Sequence, residues 1–78
     1  MRKQKYKFVE QNIEMIRTLT KDGYVSGKLL VYYNIYKTYM DIKSGSKTNR
    51  YIIVANETRS SVTTVRRAVS DMKSYVKD

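Results

Sequence analysis

Cysteine, histidine and proline are all missing from this 78-residue chain, and each absence removes a class of answer. Without cysteine, neither a disulfide framework nor a thiolate metal site holds the fold, so an interior of packed side chains must. Without histidine, the usual general base, the imidazole ligand and the Ser-His or Cys-His nucleophile pair are gone. The spacing of the seven carboxylates is not read as a catalytic pair, so neither an enzyme nor a bound metal or small-molecule cofactor is expected. Without proline, the strongest helix breaker is lacking. Acidic residues are scarce as well: sixteen Lys and Arg against seven Asp and Glu leave a formal charge of +9, which favours polyanionic partners, nucleic acid first, with solubility alone as the plain alternative. No stretch approaches the roughly 20 apolar residues that span a bilayer. The basic opening, Met1 to Lys7, runs into Glu10, Glu14 and Arg17 rather than the apolar core of a signal peptide. These features lead us to expect a soluble cytoplasmic protein without a membrane role.

What is present is helical periodicity. Glycine occurs only at Gly23, Gly27 and Gly45, where that periodicity lapses, and the three divide the chain into stretches. Residues 5–20 carry Phe8, Val9, Ile13, Met15, Ile16 and Leu19 on a broad face, which predicts an amphipathic packing helix. Lys21-Asp22-Gly23 then predicts a turn, with Gly23 available for a positive φ. Ser26 is a candidate cap for a second helix over about residues 27–43, where Leu29, Tyr33, Tyr36 and Met40 share a stripe that Tyr32 and Tyr39 widen. Four of the eight tyrosines lie here. Buried rings with hydroxyls at the edge are the first reading, base stacking or a dimer contact the others. A polar connector, Ser44-Gly45-Ser46-Lys47, leads to a third, short helix over about residues 50–58 capped by Thr48 or Asn49. The β-branched run Tyr51-Ile52-Ile53-Val54 also admits a strand, a turn at residues 57–60 and a second strand from Val62. The fourth helix, capped by Ser60 or Ser61, is expected to run to about Val76, because Val62, Val65, Val69, Met72 and Val76 fall on one narrow stripe at 3.6 residues per turn. Thr63, Arg67, Ser70 and Ser74 then project from the far side, with Arg66 on the flank.

The whole is expected to be all-α: one domain, residues 1–78, a compact bundle of about four helices with a basic tail over about residues 1–5 and a C-terminal helix-turn-helix over about residues 48–76. A helix that reads DNA needs a small residue where the two helices of the unit cross, an apolar anchor, and polar side chains at its exposed N-terminal end. Ala55, Val65 and the set Ser61, Thr63, Arg66 and Arg67 supply these. At this point the sequence resembles the helix-turn-helix of bacterial repressors, particularly of the GntR and LacI types. Ala55 matches their small residue, Ser61 the serine that opens the recognition helix, and Thr64-Val65-Arg66-Arg67-Ala68-Val69 the run Thr-Val-Arg-x-Ala-aliphatic. The resemblance covers residues 49–72. It departs in the turn, where Arg59 and Ser60 replace glycine and an aliphatic residue, and the six residues after Met72 leave no length for the β-hairpin wing of the GntR type.

The resemblance implies binding to double-stranded DNA. Ser61 and Thr64 would hold phosphates at the N-terminus of the reading helix. Thr63, Arg66 and Arg67 would face base edges. Arg59, Arg50 and Lys47, with Arg2, Lys3, Lys5 and Lys7 of the tail, would neutralise phosphates, the tail alternatively entering a minor groove. Each lone lysine also reads as a solvated surface charge. Such a protein is a regulator of transcription, or an accessory factor for recombination or replication, of bacterial or mobile-element type, and a unit this small needs a dimer or a partner for useful specific affinity. The rival reading is an adaptor or antagonist that captures another protein through the tyrosine-rich second helix.

Overall fold

The computed structural model describes residues 3–43 and 45–76. They form five helices in the order α1 (Lys5–Gln11), α2 (Ile13–Lys21), α3 (Lys28–Asp41), α4 (Lys47–Thr58) and α5 (Val62–Lys73). Helices are the only regular elements among the described residues, so the run at residues 51–54 is helical and the strand alternative is set aside. No helix among them is long and apolar enough to cross a membrane.

The expected first helix is two. Asn12 sits at φ −117°, ψ 23°, off the helical region, and its side-chain amide donates to the Phe8 carbonyl at 2.9 Å. Side-chain bonding to the carbonyl four residues back favours a bend in a helix, and here it accompanies an Asn12 N–H that is shared between the Phe8 and Val9 carbonyls, both at 3.2 Å. Only Val9 and Ile16 of the six apolar residues expected on that face are buried, whereas Phe8 and Met15 remain exposed, Met15 by 53%. Beyond α2 the expected turn forms, with Gly23 at φ 85°.

α3 is the centre of the fold and contacts α1, α4 and α5. Ser26 Oγ accepts the Lys28 N–H at 3.2 Å at its start, and it ends at Asp41, short of the expected Lys43. Its buried residues are Tyr32, Tyr33, Ile35, Tyr36 and Tyr39. Ile35, just 1% exposed, was not on the expected stripe, and Met40, which was, is 43% exposed. The rings continue beyond the helix: Tyr6 of α1 stands 4.9 Å from Tyr36 edge-on, Tyr36 stacks on Tyr39 at 6.2 Å, and Tyr39 stacks on Tyr51 of α4 at 5.5 Å. Offset and edge-to-face pairs at such distances add to what area burial alone contributes.

α4 starts earlier than the sequence suggested. Ser46, not Thr48 or Asn49, is its cap, accepting the Asn49 N–H at 3.2 Å. Lys47 is therefore a residue of the helix rather than of the connector; Ser44 lies outside the described residues. The chain leaves α4 through Arg59 at φ 55°, ψ 39°, the left-handed conformation that a glycine adopts without cost. The Ser60 N–H reaches back to the Ala55 carbonyl at 2.9 Å, and the Thr58 hydroxyl donates to the Val54 carbonyl at 2.7 Å. The first of these bonds closes the helix end on a carbonyl of its last turn; the second is the common back-bond of a threonine to the carbonyl four residues earlier.

α5 packs on α3 and α4 through Val65, Ala68, Val69 and Met72, three of which are fully buried. The helix stops at Lys73, so the stripe is shorter than expected: Val62 is 38% exposed and Val76 lies beyond the helix. The chain turns there because residues 74–76 pair with the N-terminal segment. Gln4 and Tyr75 form an antiparallel bridge, the Lys5 N–H donates to the Ser74 carbonyl at 2.7 Å, and the Val76 N–H donates to the Lys3 carbonyl at 2.9 Å. The supposed basic tail is thus docked from residue 3 onward, whereas Arg2 falls outside the described residues.

Candidate nucleic-acid interface

The serine that opens α5 fixes its first turn. Ser61 Oγ accepts the Thr64 N–H at 3.1 Å and donates its own proton to Thr64 Oγ1 at 2.9 Å. Both hydroxyls are tied to each other, which leaves the Thr64 proton and the remaining N–H groups of the first turn to meet an anion. From that turn the helix presents Thr63, Arg66, Arg67 and Ser70, all exposed, on the side opposite Val65, Ala68 and Met72. At 1.5 Å per residue, Thr63 and Ser70 are separated by about 10 Å along the axis, a length that a major groove accepts.

α4 supplies the other wall. A cleft of about 570 Å³ is lined by Tyr51 of α4 and by Thr63, Arg66, Arg67, Ser70 and Asp71 of α5. It adjoins a smaller one, about 330 Å³, between Lys47, Thr48 and Tyr51 on one side and Val62 and Arg66 on the other. Tyr51 and Arg66 belong to both, so the two make one furrow along the α4–α5 seam. Thr48, Tyr51 and Asp71 were not among the expected site residues. Lys47, Thr48 and Tyr51 occupy neighbouring positions on one helix face once α4 is known to start at Lys47; with Lys47 placed in the connector and Thr48 at the cap, that shared face was not visible.

The eight expected site residues therefore divide. Lys47, Thr63, Arg66 and Arg67 line the furrow. Ser61 and Thr64 stand at the start of α5, committed to the cap. Arg59 is exposed in the turn. Arg50 departs from the expected phosphate role: its Nη2 donates to the Tyr39 carbonyl at 2.9 Å, and its guanidinium carbon lies 4.0 Å from the centre of the Tyr39 ring. A cation on the last carbonyls of a helix offsets the negative end of its dipole, so Arg50 serves as the C-terminal cap of α3. Its Nε is buried without a hydrogen-bond partner, which the ring beneath the cation helps to compensate. Lys5, taken as part of the tail, instead pairs with Asp71 at 2.9 Å, and Lys3 Nζ donates to Gln11 Oε1.

The electrostatics are one-sided. Among the described residues the ion pairs are Lys5–Asp71 and Arg17–Glu14, so Lys47, Arg59, Arg66 and Arg67 have no carboxylate partner there. The one carboxylate that lines the furrow, Asp71, is the one Lys5 neutralises. No group of three or more metal-ligating side chains occurs among the described residues. Compared with known proteins, the chain matches no family model, no curated protein and no solved structure.

Proposed function

We propose that the protein is a noncatalytic, sequence-specific binder of duplex DNA in which α4 and α5 act as a helix-turn-helix and α5 reads the major groove. The observation that carries this reading is the division of α5 into a buried ridge and an exposed face bearing two arginines unpaired among the described residues. A helix fixed on one side by its core can hold guanidinium groups at a defined position, and an arginine that donates two bonds to a guanine discriminates against other bases by about 1–3 kcal/mol. Thr63, Arg66 and Arg67 are the base-reading candidates. Lys47, Thr48 and the first turn of α5 are the phosphate-holding ones. The net charge of +9 adds long-range attraction and a steep dependence on salt. In this role the protein regulates transcription, or assists recombination or replication, and it reaches useful specificity as a dimer or with a partner, because one reading helix covers few base pairs.

The test is enrichment of bound fragments from random duplexes at low salt, followed by titration of the winning duplex against salt. A defined motif is expected, with affinity falling steeply as salt rises, and with the motif blurred by Arg67→Ala. Binding that ignores salt, or no binding, overturns the reading. The adaptor alternative is the weaker reading, because the four tyrosines of α3 on which it rests are given over to the core, with only the edge of Tyr32 reaching a surface cleft.

A further inference from the structure

Asp71 has two basic neighbours with a claim on it. One is Arg67, four residues earlier on α5 and lining the same clefts; side chains at this spacing lie one above the other on a helix and pair readily. The other is Lys5, which comes from the far end of the chain. It is Lys5 that holds the carboxylate, with Nζ 2.9 Å from one oxygen and 3.1 Å from the other. Its place is fixed by the backbone, since the Lys5 N–H is bonded to the Ser74 carbonyl and Gln4 is bridged to Tyr75. A third cation, Lys28, lines the adjoining cleft but stands over the Tyr32 ring, 5.1 Å from its centre.

We propose that Lys5 is a positioning residue for Arg67: by occupying Asp71 it keeps the carboxylate off the arginine and leaves that guanidinium free for DNA. The inference rests on the DNA-binding reading and adds a part to it. Deprived of Lys5, Asp71 turns to Arg67, and the furrow has one positive charge fewer to offer phosphates. Both changes weaken binding, and the first also erodes the base preference that Arg67 confers. The N-terminal segment thereby acts on the reading helix without touching DNA.

The experiment compares wild type, Lys5→Gln, Lys5→Arg, Asp71→Asn and the double variant Lys5→Gln/Asp71→Asn on the duplex enriched above, with Lys37→Gln as a control that removes one exposed charge elsewhere. Lys5→Gln is expected to weaken binding about twofold beyond the control and to flatten preference at the base read by Arg67. Asp71→Asn in the same molecule restores both, and Lys5→Arg retains both. In parallel, the Arg67 Nε–H resonance of the free protein is followed by NMR; it shifts in Lys5→Gln and returns in the double variant. If the double variant stays as weak as Lys5→Gln, with a salt slope lower by about one, Lys5 is itself a phosphate contact and the proposal is wrong. If Lys5→Gln matches the control, or the Arg67 resonance does not move, the proposal is also wrong. Should wild type bind no duplex while the resonance shifts as expected, the exchange of partners stands and the DNA-binding reading, with the purpose assigned to the exchange, falls.

Discussion

α3 and α5 lie against each other and use their surfaces in opposite ways. α3 is enclosed by α1, α4 and α5, so apolar side chains point from it in several directions, and five of its fourteen residues are buried. α5 is enclosed on one side only, and its buried residues keep to a single ridge. A helix hydrophobic on several sides belongs to the centre of a core; a helix with one apolar stripe belongs at the edge, where its other face is available. The difference separates stability from recognition along the chain: substitutions in α3 should act on folding, and substitutions on the outer face of α5 should act on binding.

The largest effects will test the first half of that statement. Ile35→Ala removes a fully enclosed side chain from α3 and is expected to cost about 3 kcal/mol of unfolding free energy in a urea titration, as buried isoleucine truncations do. A cost below about 1 kcal/mol would mean that α3 is not the centre of the core. On the other side, Arg66→Ala or Arg67→Ala should weaken binding to the selected duplex by about 1–3 kcal/mol while leaving urea stability within about 0.5 kcal/mol of wild type. Arg50 sharpens the contrast, because it lies in α4, beside the candidate interface, and yet works for α3. Arg50→Met loses one hydrogen bond and one cation–π contact, so about 1–2 kcal/mol of stability is expected to go, with little change in DNA affinity measured at a temperature where the variant is folded. The reverse pattern, normal stability and lost affinity, would move Arg50 to the interface.

The helical class and the two faces of α5 were legible in the sequence because both depend on local periodicity. Val65, Val69 and Met72 recur at helical spacing, and nothing else in the chain needs to be known to see that they share a side. The capping role of Ser61 and the left-handed turn at Gly23 were legible for the same reason, whereas the N-cap position of α3 falls on Gly27, one residue after the expected Ser26. What could not be read depends on contacts between distant residues or on a single local departure. The break at Asn12 is a change of backbone conformation at one residue, in a segment whose apolar pattern runs straight through. Arg50 looks like any surface arginine until Tyr39, eleven residues earlier, is known to lie beneath it. Lys5 and Asp71 are 66 residues apart, and only the docking of the N-terminal segment on residues 74–76 brings them together. Of the candidate site, the α5 half was therefore visible and the α4 wall, Thr48 and Tyr51, was not.

Two smaller effects probe the borders between the regions. Arg59 holds a left-handed conformation in the turn that joins α4 to α5. Glycine there removes the steric cost, and Arg59→Gly is expected to raise stability by about 0.5–1 kcal/mol by thermal unfolding. If Arg59 also touches phosphate, the same variant loses affinity and lowers the salt slope by about one, so a single substitution separates the residue's cost to the fold from its use.

The smallest effect at neutral pH concerns the tyrosine interior. Burial, and next the neighbouring Tyr39, push the Tyr36 hydroxyl above its ordinary value, while the Arg50 guanidinium pulls it back; Tyr6 is raised by burial and then by Glu10. The unfolded chain releases these protons at about pH 10 and the folded one only at higher pH. Below about pH 10 the stabilisation is therefore fully present, and it is lost as pH rises through the folded values. Tyr36→Phe keeps the ring and removes the proton, so stability near pH 7 should stay within about 1 kcal/mol of wild type, while its decline on the alkaline side becomes shallower. Arg50→Met should do the opposite, since Tyr36 then loses the one cation that favours its ionised form and a larger stabilisation is forfeited above pH 10. An alkaline profile that Tyr36→Phe leaves unchanged would mean that this hydroxyl is solvated, and that the ring pairs joining α1, α3 and α4 lie nearer the surface than the enclosed position of α3 requires.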